Sequence, residues 1–225
     1  MVVKSNIQFI INQMKKTFLL LFGALLFLGT SCTGSKEQIF NGKDLSNWEF
    51  VVENNAVDAA EVYWVENGEI YIKGDPFGYM YTKKEYTNYT FEVEYRWDGE
   101  ATNSGVFLLI EETKNPFPKG IECQLMAGKA GDFVLLGGSD MEEYELPEGV
   151  TERPDFPVIE KMTASTEKAV GEWNNVRVTV RDGIVEVYIN DVYQNRGTSP
   201  EKSRHIGLQS EGGGIYFRNL KLTEL

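Results

Sequence analysis

Two segments, TFEVEYRWD at residues 90–98 and GIECQLM at residues 120–126, flank the run TNSGVFLLI at residues 102–110. Apolar and polar side chains alternate in both flanking segments. This is typical of antiparallel strands with one buried face, because successive side chains point to opposite sides of a sheet. The pattern therefore predicts a buried set made of Phe91, Val93, Tyr95, Trp97, Ile121, Cys123 and Leu125.

The polar side chains of the two flanking segments form the candidate site. If both segments lie in the same sheet, one of its faces carries Glu92, Glu94, Arg96, Glu122 and Gln124. Carboxylates, a guanidinium and a carboxamide on one surface are groups suited to binding and transforming a polar substrate. The alternative is an ordinary solvated face, which many antiparallel sheets have.

The rest of the chain is predicted to consist of strands joined by turns. Asn67-Gly68 and Asp182-Gly183 each separate two alternating segments and favour the tight turn of a β-hairpin. In the second hairpin, Val178 and Val187 join the predicted core. About a dozen short strands without alternating helices predict an all-β fold, a two-sheet jelly-roll sandwich.

The N-terminal region predicts export. From Met14, the sequence MKKTFLLLFGALLFLGTSC places two lysines before an apolar run that is shorter than the roughly 20 residues needed to cross a bilayer. Cys32 resembles the lipidated cysteine of a bacterial lipobox, which implies a lipid anchor in the cell envelope; the alternative is a soluble secreted protein cleaved near Cys32. We predict a signal peptide at 1–31, a polar tether at 32–38 and one jelly-roll domain at 39–225.

The charge balance argues against nucleic acid as a partner. The chain has a formal net charge of −12, and removal of residues 1–31 deletes three lysines and no acid, which leaves −15. Nucleic acids and anionic lipid surfaces attract clusters of lysine and arginine, so membrane contact is expected through the lipid anchor only. The single histidine, His205, excludes a metal site built from several histidines.

No cofactor is predicted, and the sequence leaves a divalent cation open. Asp132, Asp140, Glu142 and Glu143 offer oxygen ligands, but they lack the spacing of an EF-hand loop, and a solvated acidic stretch is the simpler interpretation. They belong to the segment 127–170, which contains one strand-like run, DFVLLGG, and three prolines. This segment is either a functional or partly disordered loop, or an ordered wrap on one edge of the sandwich.

Five motifs, taken in order, resemble those of one family. They are IFNGKDLSNWEF (39–50), TNSGVFLL (102–109), GIECQLM (120–126), GEWNNVRVTVRDGIVEVYINDVY (171–193) and IGLQSEGGGIYFRNLKL (206–222). In this order they resemble the 3-keto-disaccharide hydrolase domain family, also described as 3-keto-glucoside-1,2-lyase and 3-keto-2-hydroxy-glucal hydratase. The resemblance covers nearly all of residues 39–225. It implies a concanavalin-A-like jelly roll, a small carbohydrate substrate and the lipoprotein type found in Bacteroidetes.

The resemblance implies that a glycosidic bond is cleaved by elimination. A ketone at C3 of a sugar acidifies the hydrogen at C2, so the bond at C1 breaks after a base removes that proton and an acid protonates the leaving oxygen. Glu122 is expected as the base, and Arg96 as the charge that stabilises the enolate. Many relatives carry a histidine shortly after the last Leu-Gln pair. Here Glu211 lies in that region; if the histidine is the catalytic acid of the relatives, either Glu211 replaces it or this protein lacks that step.

Further side chains are predicted to bind substrate, namely Asn103, Gln124, Glu94, Gln209 and His205. Gln124 shares the face of Glu122 on its strand, and Asn103 lies in a bend where Gly105 permits close approach of the backbone. The alternative for the last motif is a plain bend, GLQSEGGG, with Glu211 in solvent.

Two functions of other classes are open at this stage. A carbohydrate-binding protein without catalysis would stack sugar on exposed aromatics such as Trp48, Trp64, Tyr79 or Tyr81, although these residues are equally suited to a core. A structural envelope domain would have neither an aromatic platform nor a polar pocket. A pocket with converging carboxylate, carboxamide and guanidinium groups favours the enzyme.

Overall fold

The computed structural model describes residues 35–111 and 114–225. The strands within them are β1 (Lys36–Glu37), β2 (Trp48–Val52), β3 (Tyr63–Glu66), β4 (Glu69–Ile72), β5 (Gly78–Thr82), β6 (Tyr89–Trp97), β7 (Gly105–Ile110), β8 (Gly120–Gln124), β9 (Phe133–Leu136), β10 (Val158–Ile159), β11 (Asn174–Arg181), β12 (Ile184–Ile189), β13 (Val192–Thr198), β14 (His205–Ser210) and β15 (Ile215–Glu224). The predicted signal peptide and lipidation site, residues 1–31 and Cys32, lie outside the described residues. Within the described residues, no helix is long and apolar enough to span a membrane.

The strands form two sheets. Sheet 1 has eight strands in the order β13–β12–β11–β6–β15–β4–β3, with β1 paired to β15. Sheet 2 has seven strands in the order β10–β9–β8–β7–β14–β5–β2. The predicted all-β, two-sheet jelly-roll sandwich is therefore confirmed. Regular structure begins inside the predicted tether at 32–38, because Lys36 already pairs with Thr223 of β15.

The core lies between the two sheets and contains the residues that the alternation predicted. Each of them is at most 3% exposed, and they are Phe91, Val93, Tyr95, Trp97, Val178 and Val187 from sheet 1 and Ile121, Cys123 and Leu125 at β8. Full burial of an aliphatic or aromatic side chain stabilises the fold by roughly 1.5–3 kcal/mol. A one-residue slip of any of these strands would expose its whole apolar set, so the burial pattern determines the register.

Both predicted hairpins are present. Asn67 and Gly68 have φ angles of 51° and 80°, and Asp182 and Gly183 have φ angles of 53° and 87°. Two consecutive positive φ angles are what a type I′ turn requires, and its twist matches that of the flanking strands. These turns join β3 to β4 and β11 to β12.

The two segments that carry the candidate site lie in different sheets. β6 runs through the middle of sheet 1, whereas β8 belongs to sheet 2. Alternation shows which side chains of one strand share a face, but it does not show which sheet the strand joins. Here the chain crosses from sheet 1 to sheet 2 over residues 98–104. The prediction of one polar face that combines Arg96 with Glu122 is therefore wrong.

The segment 127–170 packs along one edge of the sandwich. It contains β9, as the run DFVLLGG predicted, and the short β10. Thr163 and Thr166 donate side-chain hydrogen bonds to the carbonyl oxygens of Tyr193 (2.9 Å) and Ile189 (2.8 Å) in sheet 1. These contacts support the interpretation of the segment as an ordered wrap.

Replacement of Gly183 by alanine is expected to cost much more stability than replacement of Gly99. Both glycines have a left-handed backbone, with φ angles of 87° and 88°, which costs an alanine roughly 1–2 kcal/mol. Only at Gly183 does the added Cβ collide, because it would lie 2.4 Å from the carbonyl oxygen of Ser199, whereas nothing lies within 4 Å at Gly99. Chemical denaturation should give Gly183→Ala the larger loss of unfolding free energy by about 2 kcal/mol. Equal losses would contradict this hairpin geometry.

Candidate active site

A polar cluster lies on the outer face of sheet 2, which is the face turned away from sheet 1. Along β8, Ile121 and Cys123 point into the core, so Glu122 and Gln124 point to the outer face. The ladder between β7 and β8 pairs Glu122 with Phe107. The carboxyl group of Glu122 thus stands over the centre of a sheet rather than at its edge.

Glu122 fits over the sheet because Gly105 has no side chain. A Cβ at Gly105 would lie 2.5 Å from Oε1 of Glu122 and 2.7 Å from its Cγ, which are distances that such atoms do not reach. Glu122 is only 3% exposed. The hydroxyl of Ser104 donates to the carbonyl oxygen of Gln209 (3.0 Å) and ties this bend to β14. The Asn-Ser-Gly motif therefore makes room for the carboxyl group.

Four of the predicted site residues meet in this cluster. Glu211, directly after β14, lies close enough to Glu122 for its charge to act on that carboxyl group. Nε2 of Gln209 donates to Oε2 of Glu211 at 2.7 Å, and Asn103 forms another hydrogen bond to the same carboxylate. Two carboxyl groups and two carboxamides, from the middle of β8, the loop before β7 and the end of β14, are thus brought together.

The environments of the two carboxyl groups differ. Burial raises the pKa of Glu122 well above its usual value, and the negative charge of Glu211 raises it further. Burial also raises the pKa of Glu211, but hydrogen bonds from Asn103 and Gln209 act against the shift. A proton shared by the pair therefore resides on Glu122, and Glu211 is the carboxylate.

Three oxygen acceptors of the cluster are buried and have no hydrogen-bond partner within the described residues. They are Oε1 of Glu122, Oδ1 of Asn103 and Oε1 of Gln209. The carboxylate of Glu211 accepts hydrogen bonds only from N–H donors, so the side-chain amides of Asn103 and Gln209 turn their nitrogens toward it. Their oxygens therefore point away from Glu211. Because a buried acceptor without a partner costs about 1–3 kcal/mol, this arrangement suits a ligand rich in hydroxyl donors.

The glycine bend at 212–214 holds the cluster together. The N–H of Gly213 donates to Oγ1 of Thr102 (2.5 Å), and a Cβ at Gly212 would lie 2.6 Å from the same oxygen. The backbone at Gly212 is also left-handed, with φ of 81°. Glycine therefore allows the loop after Glu211 to pack against the loop before β7.

Gln124 shapes the turn after β8. Its Oε1 accepts hydrogen bonds from the backbone N–H groups of Leu125 and Met126, both at 2.9 Å. The carbonyl oxygen of this side chain is thereby committed to the backbone. A direct contact with substrate, as the sequence predicted, would use the amide nitrogen of Gln124.

His205 lies apart from the cluster. It precedes Gln209 by four residues on β14, or roughly 13 Å along an extended strand. Its Nδ1 lies 2.7 Å from the carbonyl oxygen of Thr82, so Nδ1 carries the proton, and its Nε2 lies 3.6 Å from a carboxylate oxygen of Glu85. The structure thus does not bring His205 to Glu122, and its predicted role in substrate binding has no support from this geometry.

Arg96 lies on the outer face of sheet 1. Its guanidinium group stacks near the rings of Trp173 and Tyr216, with centroid distances of 5.0 and 4.5 Å, and lies 3.7 Å from a carboxylate oxygen of Glu69. Both sheets stand between this group and Glu122, and packed sheets are about 10 Å apart. Arg96 therefore cannot stabilise an enolate beside Glu122, and that prediction is wrong.

Glu94 lies beside Arg96 on sheet 1 and is engaged in an ion pair. Nε of Arg218 donates to its carboxylate at 2.7 Å. Burial alone would raise the pKa of Glu94, but hydrogen bonds from Arg218 and Asn219 outweigh it and lower the pKa below its usual value. The prediction that Glu94 joins the site of Glu122 is wrong for the same reason as for Arg96, since its strand belongs to the other sheet.

An apolar floor beside the cluster was not predicted. It consists of buried side chains on the outer face of sheet 2, namely Tyr79, Phe107, Ile110, Val134 and Leu136. The signal was present in the runs VFLLI and FVLL, because apolar residues without alternation are typical of strands buried on both faces. A covered outer face is what separates sheet 2 from an ordinary solvated sheet.

The four aromatics considered as a sugar platform do not form one. Trp48 and Tyr79 are buried, and the indole of Trp48 donates to a core carbonyl oxygen. Trp64 packs on Tyr71 in sheet 1 at a centroid distance of 4.5 Å. Tyr81 packs edge-on against the imidazole next to it on β14. These residues are distributed over both sheets and the core.

Acids of the 127–170 segment form separate ion pairs. The nitrogen–oxygen distances are 3.4 Å for Lys161–Asp132, 3.1 Å for Arg153–Asp140 and 3.2 Å for Arg196–Glu143. Within residues 35–111 and 114–225, no group of three or more His, Cys, Asp and Glu side chains is arranged to hold a metal ion.

Replacement of Glu122 by glutamine is expected to stabilise the protein at neutral pH. Folding raises the pKa of this carboxyl group. The protonated group therefore contributes its full stability below the unfolded pKa of about 4.3, and this contribution to the free energy of unfolding is lost as the pH rises toward the folded pKa. Glutamine has no proton to lose. The melting temperatures of Glu122→Gln and the wild type should be closest near pH 4, and the variant should gain roughly 4 °C or more toward pH 8. A difference that does not change with pH would contradict the buried, protonated state.

Comparisons with solved structures agree with the fold. Two structures of proposed glycosyl hydrolases from Parabacteroides distasonis ATCC 8503 match with TM-scores of 0.60 and 0.59 at 22% identity, over 85% of this chain and 94% and 100% of theirs. A β-glucanase of Bacillus licheniformis matches with a TM-score of 0.54 at 12% identity, over 87% of this chain and 99% of its own. A carbohydrate-binding module of Bacillus subtilis matches with a TM-score of 0.52 at 9% identity, over 79% and 96%. Similarity at these identities shows the fold alone.

The family comparison is more specific. A comparison with curated proteins finds no match. The model of the 3-keto-alpha-glucoside-1,2-lyase-like domain matches residues 35–223, which include every member of the polar cluster. This is the family that the order of the five motifs predicted, and the resemblance is confirmed. The chain belongs to the 3-keto-alpha-glucoside-1,2-lyase-like domain family, and its function is directed at carbohydrates.

Proposed function

We propose that this protein cleaves 3-keto glycosides by elimination and hydrates the product, so that the net reaction is hydrolysis. The observation that carries the proposal is the pair of Glu122 and Glu211, in which Glu122 is buried without a hydrogen-bond donor and the partly buried Glu211 accepts hydrogen bonds from Gln209 and Asn103. Pairs of titratable groups with opposite protonation states are what acid and base steps at one bond require. Membership of the 3-keto-alpha-glucoside-1,2-lyase-like family supports the choice of 3-keto glycosides as substrates.

In the elimination, Glu211 removes the proton at C2, and the electrons of that C–H bond enter the enolate of the C3 ketone. They then form the C1–C2 double bond as the C1–O bond breaks, and Glu122 gives its proton to the leaving oxygen. In the hydration, water adds to C1, its proton goes to Glu122, and Glu211 returns a proton to C2. The protein ends in the protonation state in which it started.

This division of roles differs from the sequence expectation, in which Glu122 is the base. The change follows from the surroundings of each group. Glu122 is buried without donors, which favours its neutral form, whereas Glu211 accepts hydrogen bonds that favour its anion. The free amide oxygens of Asn103 and Gln209 are suited to accept hydrogen bonds from sugar hydroxyls next to the reacting carbons.

The C3 ketone is expected to decide whether a glycoside is cleaved. Without it the hydrogen at C2 is not acidic, so a 3-keto glucoside should release its aglycone at least about a hundredfold faster than the parent glucoside. Aglycone release, followed chromatographically for both compounds, measures this ratio. Equal rates would indicate conventional hydrolysis by two carboxyl groups and would contradict elimination.

Leaving groups of different basicity are expected to separate the roles of the two carboxyl groups. A 4-nitrophenolate leaves without protonation, so Glu122→Gln should retain most activity on 4-nitrophenyl 3-keto-glucoside and lose about a hundredfold on methyl 3-keto-glucoside. Glu211→Gln removes the base and should lose about a hundredfold or more on both. The measured quantity is the rate of aglycone release in a single turnover for each pair of variant and substrate, because Glu122 also accepts a proton in the later hydration.

The matched control is Glu92→Gln, which makes the same chemical change on β6 of the other sheet and should leave both activities within about twofold of the wild type. Loss of both activities in Glu122→Gln, together with retained activity in Glu211→Gln, would reverse the assignment and make Glu122 the base.

A further inference from the structure

Three phenylalanines, each next to a proline, meet above sheet 2. They lie in the segments DPFG (75–78), NPFP (115–118) and PDFP (154–157). The ring centroids of Phe77 and Phe117 are 5.8 Å apart, and those of Phe117 and Phe156 are 5.3 Å apart. We refer to Phe77, Phe117 and Phe156 as the Phe cluster. Distant parts of the chain thus converge to build one aromatic surface.

The Phe cluster begins beside Glu211. β14 and β5 are paired as far as Ser210 opposite Gly78, and one step further along this register Glu211 is opposite Phe77. The hydroxyl of Ser210 donates to the carbonyl oxygen that precedes Phe77 (2.9 Å), which holds the two chains together beyond the ladder. Tyr79, two residues away, belongs to the floor on the outer face, so Phe77 is on the same face. Opposed positions have Cβ atoms about 5 Å apart.

The Phe cluster is partly accessible and has little conformational freedom. Phe77 and Phe156 are 38% and 48% exposed, although rings of this size are normally covered. The adjacent prolines restrict the backbone on which each ring is mounted. A surface that is ordered before binding loses less entropy when a ligand arrives.

The chemistry of the Phe cluster favours an aromatic ligand over a second sugar. A sugar ring can stack one face on an aromatic surface, but its hydroxyls need partners, and the three side chains of the Phe cluster carry no hydrogen-bonding group. Aromatic rings pack favourably at centroid distances of 4.5–7 Å, in offset or edge-to-face arrangements. The acceptors suited to sugar hydroxyls belong to other residues, namely Asn103, Glu122 and Gln209.

A groove next to the Phe cluster provides space for a group larger than one ring. Its volume is about 930 Å³, and its lining includes Val51, Glu53, Asn54, Lys114 and Phe117. Small-molecule pockets are typically about 300–1,000 Å³. Polar side chains at its rim suit the hydroxyl substituents of a polyphenol.

We propose that the Phe cluster is the subsite for the leaving group, and that this leaving group is aromatic, so that the substrates are 3-keto glycosides of phenols. This assignment rests on the proposed function for the identity of the sugar. In the elimination, the C1–O bond breaks, the phenolic oxygen takes the proton of Glu122, and the phenol departs over Phe77 into the groove.

Binding of unoxidised glucosides tests the subsite independently of turnover. Phenyl glucoside and methyl glucoside of the same anomer are titrated calorimetrically into the wild type, Phe117→Ala, Phe156→Ala and Met162→Ala. Met162 is the matched control, because it is an exposed apolar residue of the 127–170 segment outside the Phe cluster. Phe117→Leu keeps bulk without the ring, and it replaces Phe117→Ala if that variant melts early.

The wild type should bind phenyl glucoside at least tenfold more tightly than methyl glucoside. This preference should fall to about twofold or less in the variants of Phe117 and Phe156 and persist in Met162→Ala. The assignment is overturned if the wild type shows no preference, either because both glucosides bind equally tightly or because neither binds. It is also overturned if the preference for phenyl glucoside persists in the variants of Phe117 and Phe156. Failure of the 3-keto compounds to turn over would refute the elimination while leaving this readout intact.

Discussion

The carboxyl group of Glu122 has to be accommodated over the middle of a sheet, away from water and without a donor from the described residues. An ionised carboxylate in such a place is costly, so the group keeps its proton. Its side chain occupies the space that Gly105 leaves free. A slip of one residue between β7 and β8 would turn Glu122 into the core. The glycine, the register and the protonation state are therefore parts of one constraint.

The two sheets of the sandwich consequently differ in character. Sheet 1 has one buried face and one polar face. On the polar face, Arg96 and Arg218 form ion pairs with Glu69 and Glu94 and stack on aromatic rings. Such partly exposed pairs contribute little to stability. Sheet 2 is buried on both faces at its centre, with an apolar floor around Glu122. Burial on this covered face raises the pKa of Glu122 well above its usual value, which suits a proton donor and explains why the site lies on this sheet.

Local patterns were sufficient to predict the strands, the two hairpins and the core. Alternation at Phe91–Trp97 and Ile121–Leu125 depends only on residues two positions apart, so it can be recognised locally. The turns at Asn67-Gly68 and Asp182-Gly183 likewise depend only on the two residues that form them. The assignment of β6 and β8 to different sheets depends on long-range pairing, which no local period contains, and this is why Arg96 was placed with Glu122. The meeting of Glu122 with Glu211, which are 89 positions apart in the sequence, was suggested only by the family resemblance. The assignment of the shared proton to Glu122 required the burial and hydrogen bonds of the folded chain.

Transfer of hydrogen at C2 tests the central claim, elimination by the Glu122–Glu211 pair, most directly. A 3-keto glucoside with deuterium at C2 is cleaved in ordinary water. The deuterium content of the released 3-keto sugar is measured by mass spectrometry at early times, and an enzyme-free control measures exchange at C2 without the enzyme. Elimination followed by hydration predicts that the released sugar loses its C2 deuterium wherever the carboxyl group of Glu211 exchanges with water before it returns a proton to C2. It also predicts that cleavage is slower than for the unlabelled compound wherever proton removal limits the rate. Release of a sugar that retains its C2 deuterium, at the rate of the unlabelled compound, would contradict the account.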